Sequence, residues 1–185
     1  MRAIAGAVLL VGALAVAGCD SNGGGGTTPP TSSTEPSIAE NVPAGIDACN
    51  IPQDVLTSAY PGLRKGTMDD NSDRGKIKWR GCIYLVSDGY TASISSTNLT
   101  LAMIKEKHYP GERETTVNGR TVLITYQDDD PTGREACTLN AQMKGGSLEF
   151  SVSNPPSSKK TANLNPCDIG QTLAEKVVPL IQAGA

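Results

Sequence analysis

Residues 82–97 read CIYLVSDGYTASISST, and this stretch decides the fold. Ile83 and Leu85 point one way along an extended chain, while Cys82, Tyr84 and Val86 point the other. A strand apolar on both faces belongs in the middle of a sheet. Asp88-Gly89 then supplies the dipeptide of a tight two-residue hairpin, because both central positions of that turn need positive φ. On the return, Ala92 and Ile94 alternate with Ser93, Ser95 and Thr97, the period-two pattern of a strand with one apolar and one polar face.

The same signals recur toward the C-terminus. Asn118-Gly119 separates 115–117 from 120–126, and Gly145-Gly146 separates 136–142 from 147–152, giving two more hairpins. Helical signals lie between and around them. Pro52 opens a short helix to Tyr60, and Pro61-Gly62 ends it. Asn98 is placed to cap a helix over 99–108, stopped by Tyr109-Pro110-Gly111. Asn165 and Pro166 open a C-terminal helix whose Ile169, Leu173, Val177 and Leu180 make one apolar stripe, with Pro179 ending it. The segment 64–76 reads as a polar loop. The expected class is α+β: an antiparallel sheet of five to six strands packed with two to three helices and two disulfides.

Upstream the chain changes character. After Met1-Arg2, residues 3–18 carry no charge, a span shorter than the roughly 20 residues that cross a bilayer but suited to an export signal. It ends Leu14-Ala15-Val16-Ala17-Gly18-Cys19, a bacterial lipobox in which the Cys19 thiol is the nucleophile that takes up a diacylglycerol unit. The residues after it, DSNGGGGTTPPTSSTEP (20–36), hold no hydrophobic side chain and cannot offset the entropy of ordering. The expected organisation is a lipoprotein signal peptide at 1–18, a lipidated tether at 19–41, and one globular domain at 42–185.

Cys19 aside, four cysteines remain: Cys49, Cys82, Cys137 and Cys167. An even number in an exported domain reads as a disulfide framework. Three pairings are possible. The like surroundings of Cys49 and Cys167, each at a helix start, favour joining them, which leaves Cys82 with Cys137 across the sheet. No Cys-x-x-Cys spacing occurs to suggest a zinc or redox site.

With 16 basic against 19 acidic residues, a nucleic-acid surface is not expected. Asp69, Asn71 and Asp73 alternate as in a calcium loop, but Arg74 and Arg80 stand where that loop needs Gly and Glu. Asp128-Asp129-Asp130 is a second acidic run, expected to be solvated in a turn. The single histidine, His108, falls at the end of a helix, where the helix dipole favours a cation; no Gly-x-Ser-x-Gly or Ser-x-x-Lys setting accompanies it. Trp79 and Tyr84, which flank Cys82, are the aromatic candidates for a binding surface.

These features in their order resemble the DUF3558 family of actinobacterial lipoproteins: the lipobox and tether, Cys49 before a short helix, Cys82 in the first strand, Val117-x-Gly119, Cys137 in a late strand, Gly146-x-Leu148, and Pro166-Cys167 opening a helix with Leu173-Ala174. The chain departs from the family's habit in having Tyr84 where a Trp is usual, with Trp79 ahead of the cysteine. The resemblance implies a cell-envelope lipoprotein and names no ligand. The expected function is a non-catalytic binding or interaction module, held by its lipid on the outer face of the cell membrane and meeting an envelope protein or a small apolar ligand without any cofactor. An accessory subunit of an envelope complex is the alternative, and an envelope hydrolase a more distant one.

Overall fold

The computed structural model describes residues 37–185. Cys19, the signal peptide and most of the tether fall outside that range. Among the described residues no helix is long and apolar enough to cross a membrane.

The element order is α1 (Gln53–Ala59), β1 (Arg64–Asp69), β2 (Ser72–Arg74), β3 (Ile77–Leu85), β4 (Thr91–Thr97), α2 (Leu101–Lys105), β5 (Arg113–Val117), β6 (Arg120–Thr125), β7 (Ala136–Met143), β8 (Gly146–Ser153) and α3 (Pro166–Val177). The eight strands form one antiparallel sheet in the order β1-β3-β4-β8-β7-β6-β5, with β2 pairing β3 beyond the end of β1. The three expected hairpins are β3–β4, β5–β6 and β7–β8.

The expectation of five to six strands is therefore corrected to eight. The additional strands are β1 and β2, which lie in the segment read as a polar loop. Nearly every residue in them is exposed, so no buried face imposes alternation on the sequence. They are held by the open edge of β3, whose backbone groups need partners. That edge also lets β3 begin at Ile77, five residues earlier than its apolar run.

The helices follow their caps. Pro52 stands at the N-cap of α1, and Asn165 caps α3 by accepting from the Cys167 amide at 2.8 Å. The expected helix at 99–108 shrinks to Leu101–Lys105, capped by the Thr100 hydroxyl. Asn98 is diverted. Its fully buried amide accepts from Lys78 N at 2.8 Å and donates to the Ala39 and Lys76 carbonyls, which pins the start of β3 to the incoming chain.

One face of the sheet carries the core. Across β3, β4, β8, β7 and β6, the register aligns Cys82, Ile94, Phe150, Leu139 and Ile124 in one row, and Tyr84, Ala92, Val152 and Cys137 in the next. Helix α3 packs on β7 and β8 through Ile169, Leu173 and Val177, and α1 lies against α3. Each fully buried side chain of this size contributes about 1.5–3 kcal/mol relative to exposure.

Both disulfides lie on this face, and their pairing corrects the expectation. Cys49 joins Cys82, and Cys137 joins Cys167. The strand order gives the reason. Three strand spacings separate β3 from β7, about 14 Å, whereas bridged cysteines need Cα atoms within about 7 Å. Cys137 instead faces the first turn of α3, where Cys167 sits, and Cys82 faces the segment that leads into α1.

Candidate functional site

Residues that alternate with the core rows face the other side of the sheet, and there the register gathers polar groups. Ser95, Glu149 and Asn140 align across β4, β8 and β7. Ser93, Ser151, Thr138 and Thr125 form the next row. Trp79 begins the row on the other side of Glu149, paired with Thr97 and then Ser147. The first row continues into Leu123 of β6, and the apolar part of the face that takes a helix begins there.

Two walls rise over this floor. The first is the bend between β1 and β2. Four residues of β1 span the stretch that two residues of β3 occupy, a bulge between Lys65 and Asp69. The bend lays Asp70 over the sheet: its backbone N–H donates to Gly81 O at 2.8 Å, and its carboxylate accepts from the Ser93 and Ser95 hydroxyls. Gly81 itself lies tight against β4, where a Cβ would collide with the Ile94 carbonyl and with Ser95. The second wall is α2 with its following loop. Leu101 and Ile104 pack on Leu123, and Leu99 and Tyr109 close around them. Beside Tyr109 stands Tyr126, seated between Gly111 and Gly133, where any Cβ would strike its ring.

Between the walls lies an open cleft of about 480 Å³, with Glu149 in its floor and Trp79, Tyr109 and Tyr126 along its sides. The Trp79 indole N–H donates to Glu149 Oε2 at 3.3 Å. Among the described residues Oε1 accepts from no donor. Burial, the Trp79 hydrogen bond and neighbouring charge together set the carboxyl. Burial dominates and, with Asp70 adding to it, pushes the Glu149 pKa up to about 7, against the pull of Trp79 and Arg74. The carboxyl is thus close to half-ionised near neutral pH. Arg74 reaches over the Trp79 ring, its Cζ 5.8 Å from the centroid, and Arg113 does the same to Tyr126 at 5.6 Å.

The residues singled out in the sequence are distributed unevenly around this cleft. Trp79 is part of it. Tyr84 is not: it lies on the opposite face, fully buried, and its hydroxyl donates to the Ala48 carbonyl at 2.5 Å. Desolvation raises its pKa to about 12. As a binding aromatic it is therefore corrected to a core residue, because the two-residue alternation that exposes Trp79 to one face sends Tyr84 to the other. His108 is exposed beyond α2, in a left-handed conformation with φ 54°, and does not line the cleft.

The acidic loop 69–73 does not converge on a cation. Asp70 turns inward, Asn71 accepts from Gly81 N, and Asp73 pairs outward with Arg80 at 2.6 Å. Asp69 lies beside the Cys49 and Cys82 sulfurs, but these are spent in a disulfide and offer no thiolate to a metal. In the second acidic run, Asp130 accepts from the Glu135 and Ala136 amides and shapes its own loop, whereas Asp128 reaches the cleft.

Glu149, Asp70 and the serine rows were missed from the sequence. One signal for Glu149 was present: in SLEFSVS (147–153) it is the only charge, at a position whose neighbours two residues away are serines. The inward turn of Asp70 leaves no such trace, since it depends on a bulge and on Gly81 in another strand.

The profile of the family described as Protein of unknown function (DUF3558) matches residues 14–180, and the chain belongs to that family. No curated protein and no solved structure matches it.

Proposed function

We propose that this member of the DUF3558 family is an extracytoplasmic lipoprotein, anchored through Cys19, whose head is a binding module that takes its ligand in the cleft over the polar sheet face. The observation that carries this reading is the cleft itself. Its floor spends central sheet positions on serine, asparagine and a partly buried carboxyl, residues that contribute little to a core, and the space between the two walls opens onto Asn140, Glu149 and Ser151. A strongly shifted carboxyl inside a cleft is the kind of group that marks a functional site. The two disulfides agree with an oxidising compartment, and the lipobox and apolar-free tether agree with a head held near a membrane.

The lining favours a polar ligand over the small apolar one expected from the sequence. It also weighs against the hydrolase alternative built on His108, since that histidine stands exposed outside the cleft. The accessory-subunit alternative needs a partner-sized surface, and its test is co-purification of a stoichiometric partner from detergent-solubilised membranes.

Trp79 is the chain's only tryptophan, so its fluorescence reports the cleft without interference. Screening polar small molecules by that emission tests the reading. A saturable change that is lost when the cleft is blocked by Ser151→Trp, read by calorimetry in that variant, supports it. Ligands that bind the head equally well after blocking contradict it. Mass spectrometry of the membrane-extracted chain is expected to return an N-terminal, diacylated Cys19; an unmodified Cys19 thiol contradicts the anchor.

A further inference from the structure

We infer that the cleft takes a small organic cation, an ammonium or guanidinium group, seated between the Glu149 carboxyl and the aromatic side walls. This deepens the cleft reading and rests on it.

Three observations select the class. The first is charge. Asp70, Asp128 and Glu149 line the cleft against Arg74 alone, so an anionic ligand meets a net repulsion. The second is the balance of donors and acceptors. The Ser93 hydroxyl gives its proton to Asp70, which leaves lone pairs facing the cleft. Glu149 Oε1 accepts from no donor among the described residues, and Asp128 adds a further acceptor at the rim. The amides of Asn140 and Gln127, the two phenols and the hydroxyls of the lining can donate as well as accept, so the excess of acceptors rests on the three carboxylates. Those carboxylates select positive charge: an N–H group that carries it forms charge-assisted hydrogen bonds with them, which a neutral polyol does not.

The third observation is that the rings already hold cations. Arg74 stacks on Trp79 and Arg113 on Tyr126. Trp79 then passes its N–H to Glu149, so ring, carboxyl and guanidinium form one assembly. Arg74 is exposed, on a three-residue edge strand, and its guanidinium occupies the place an incoming cation would claim. A ligand cation displaces it and gains the central carboxylate, a stronger partner than the ring alone.

The ionisable groups that share the cleft with Glu149 are Asp70, Arg74, Asp128 and the phenols of Tyr109 and Tyr126. Of these, Asp70 raises its pKa and Arg74 lowers it. Binding a cation favours ionised Glu149, so binding releases a proton and strengthens as pH rises through about 7.

The experiment titrates the full chain with agmatine and with n-butylammonium, read by Trp79 fluorescence and calorimetry, beside butanol and glucose as neutral probes. Agmatine is expected to bind about tenfold more tightly at pH 8 than at pH 5.5. Glu149→Gln, which keeps the shape and the Trp79 hydrogen bond, is expected to weaken it by about tenfold or more and to flatten the pH dependence. Asp128→Asn, at an exposed loop position, is expected to weaken it by only about threefold. Arg74→Ala is expected to leave affinity unchanged or raise it. Glucose binding that survives Glu149→Gln overturns the cation class and leaves the cleft reading standing. No response to any of the four probes overturns both.

Discussion

The two faces of the central sheet use alternate residues of the same strands, and they use them for opposite ends. On one face, Ile94, Phe150 and Leu139 stand in line beneath α3, flanked by two disulfides. On the other, one residue along in each strand, Ser95, Glu149 and Asn140 stand in line, Ser95 covered by Asp70 and the other two lining the cleft. Because neighbouring residues share one backbone, the rigidity of the first face is inherited by the second. The lesson is that a polar floor can be held largely from the opposite face, helped by hydrogen bonds such as those of Ser93 and Ser95 to Asp70. It can therefore carry a carboxyl that costs stability, as functional sites often do.

That contrast is open to breakage in order of expected effect. On the packed face, Phe150→Ala removes a fully buried ring from the centre of the core and is expected to cost about 3–5 kcal/mol in denaturant unfolding. A loss below about 1 kcal/mol would mean that this face does not carry the fold. Next comes the paired change Cys137→Ser with Cys167→Ser, which opens a link between residues 30 apart. The chain-entropy treatment puts its cost at about 3–4 kcal/mol. Peptide mapping without reduction is expected to join Cys49 to Cys82, and a Cys49–Cys167 peptide would overturn the pairing.

On the polar face the sign reverses. The folded pKa of Glu149 lies near 7, above its ordinary value of 4.5, so the folded state holds a proton that the unfolded state gives up between those values. Stability contributed by the neutral carboxyl is complete below pH 4.5 and is lost as pH rises through 7. Glu149→Gln removes that loss. It is expected to leave stability nearly unchanged at pH 4 and to raise it by on the order of 2–3 kcal/mol at pH 8. Equal effects at both values would contradict the shift. The smallest effect belongs to Ser151→Ala, two residues from Glu149 on the same face, expected to change stability by about 0.5 kcal/mol or less. On the packed face, Val152→Ala, which removes two buried carbons, is expected to cost several times more.

The packed face was the legible one. Hairpin turns, helix caps and the apolar stripe of α3 are local signals, and each element they announce is present. Buried alternation made β3, β4, β7 and β8 visible, and its absence hid β1 and β2. The disulfides were readable as a set and unreadable as pairs. Pairing depends on strand order, and β8 inserts between β4 and β7 where the chain sequence suggests no such neighbour. The cleft was the least legible part. Trp79 was noticed for being aromatic, but Tyr84 was indistinguishable from it until the strand direction assigned them to opposite faces. Glu149 gains its character from burial in the folded sheet and then from Trp79 and Asp70, which lie 70 and 79 positions upstream of it.

Glu149 is the centre of the cleft floor, a shifted carboxyl joined to Trp79 by a hydrogen bond. A fluorescence titration of the sole tryptophan against pH reads that junction directly. The expected curve has a midpoint at about 7 and becomes flat through that range in Glu149→Gln. A midpoint near 4.5, or a midpoint near 7 that persists in Glu149→Gln, would contradict it.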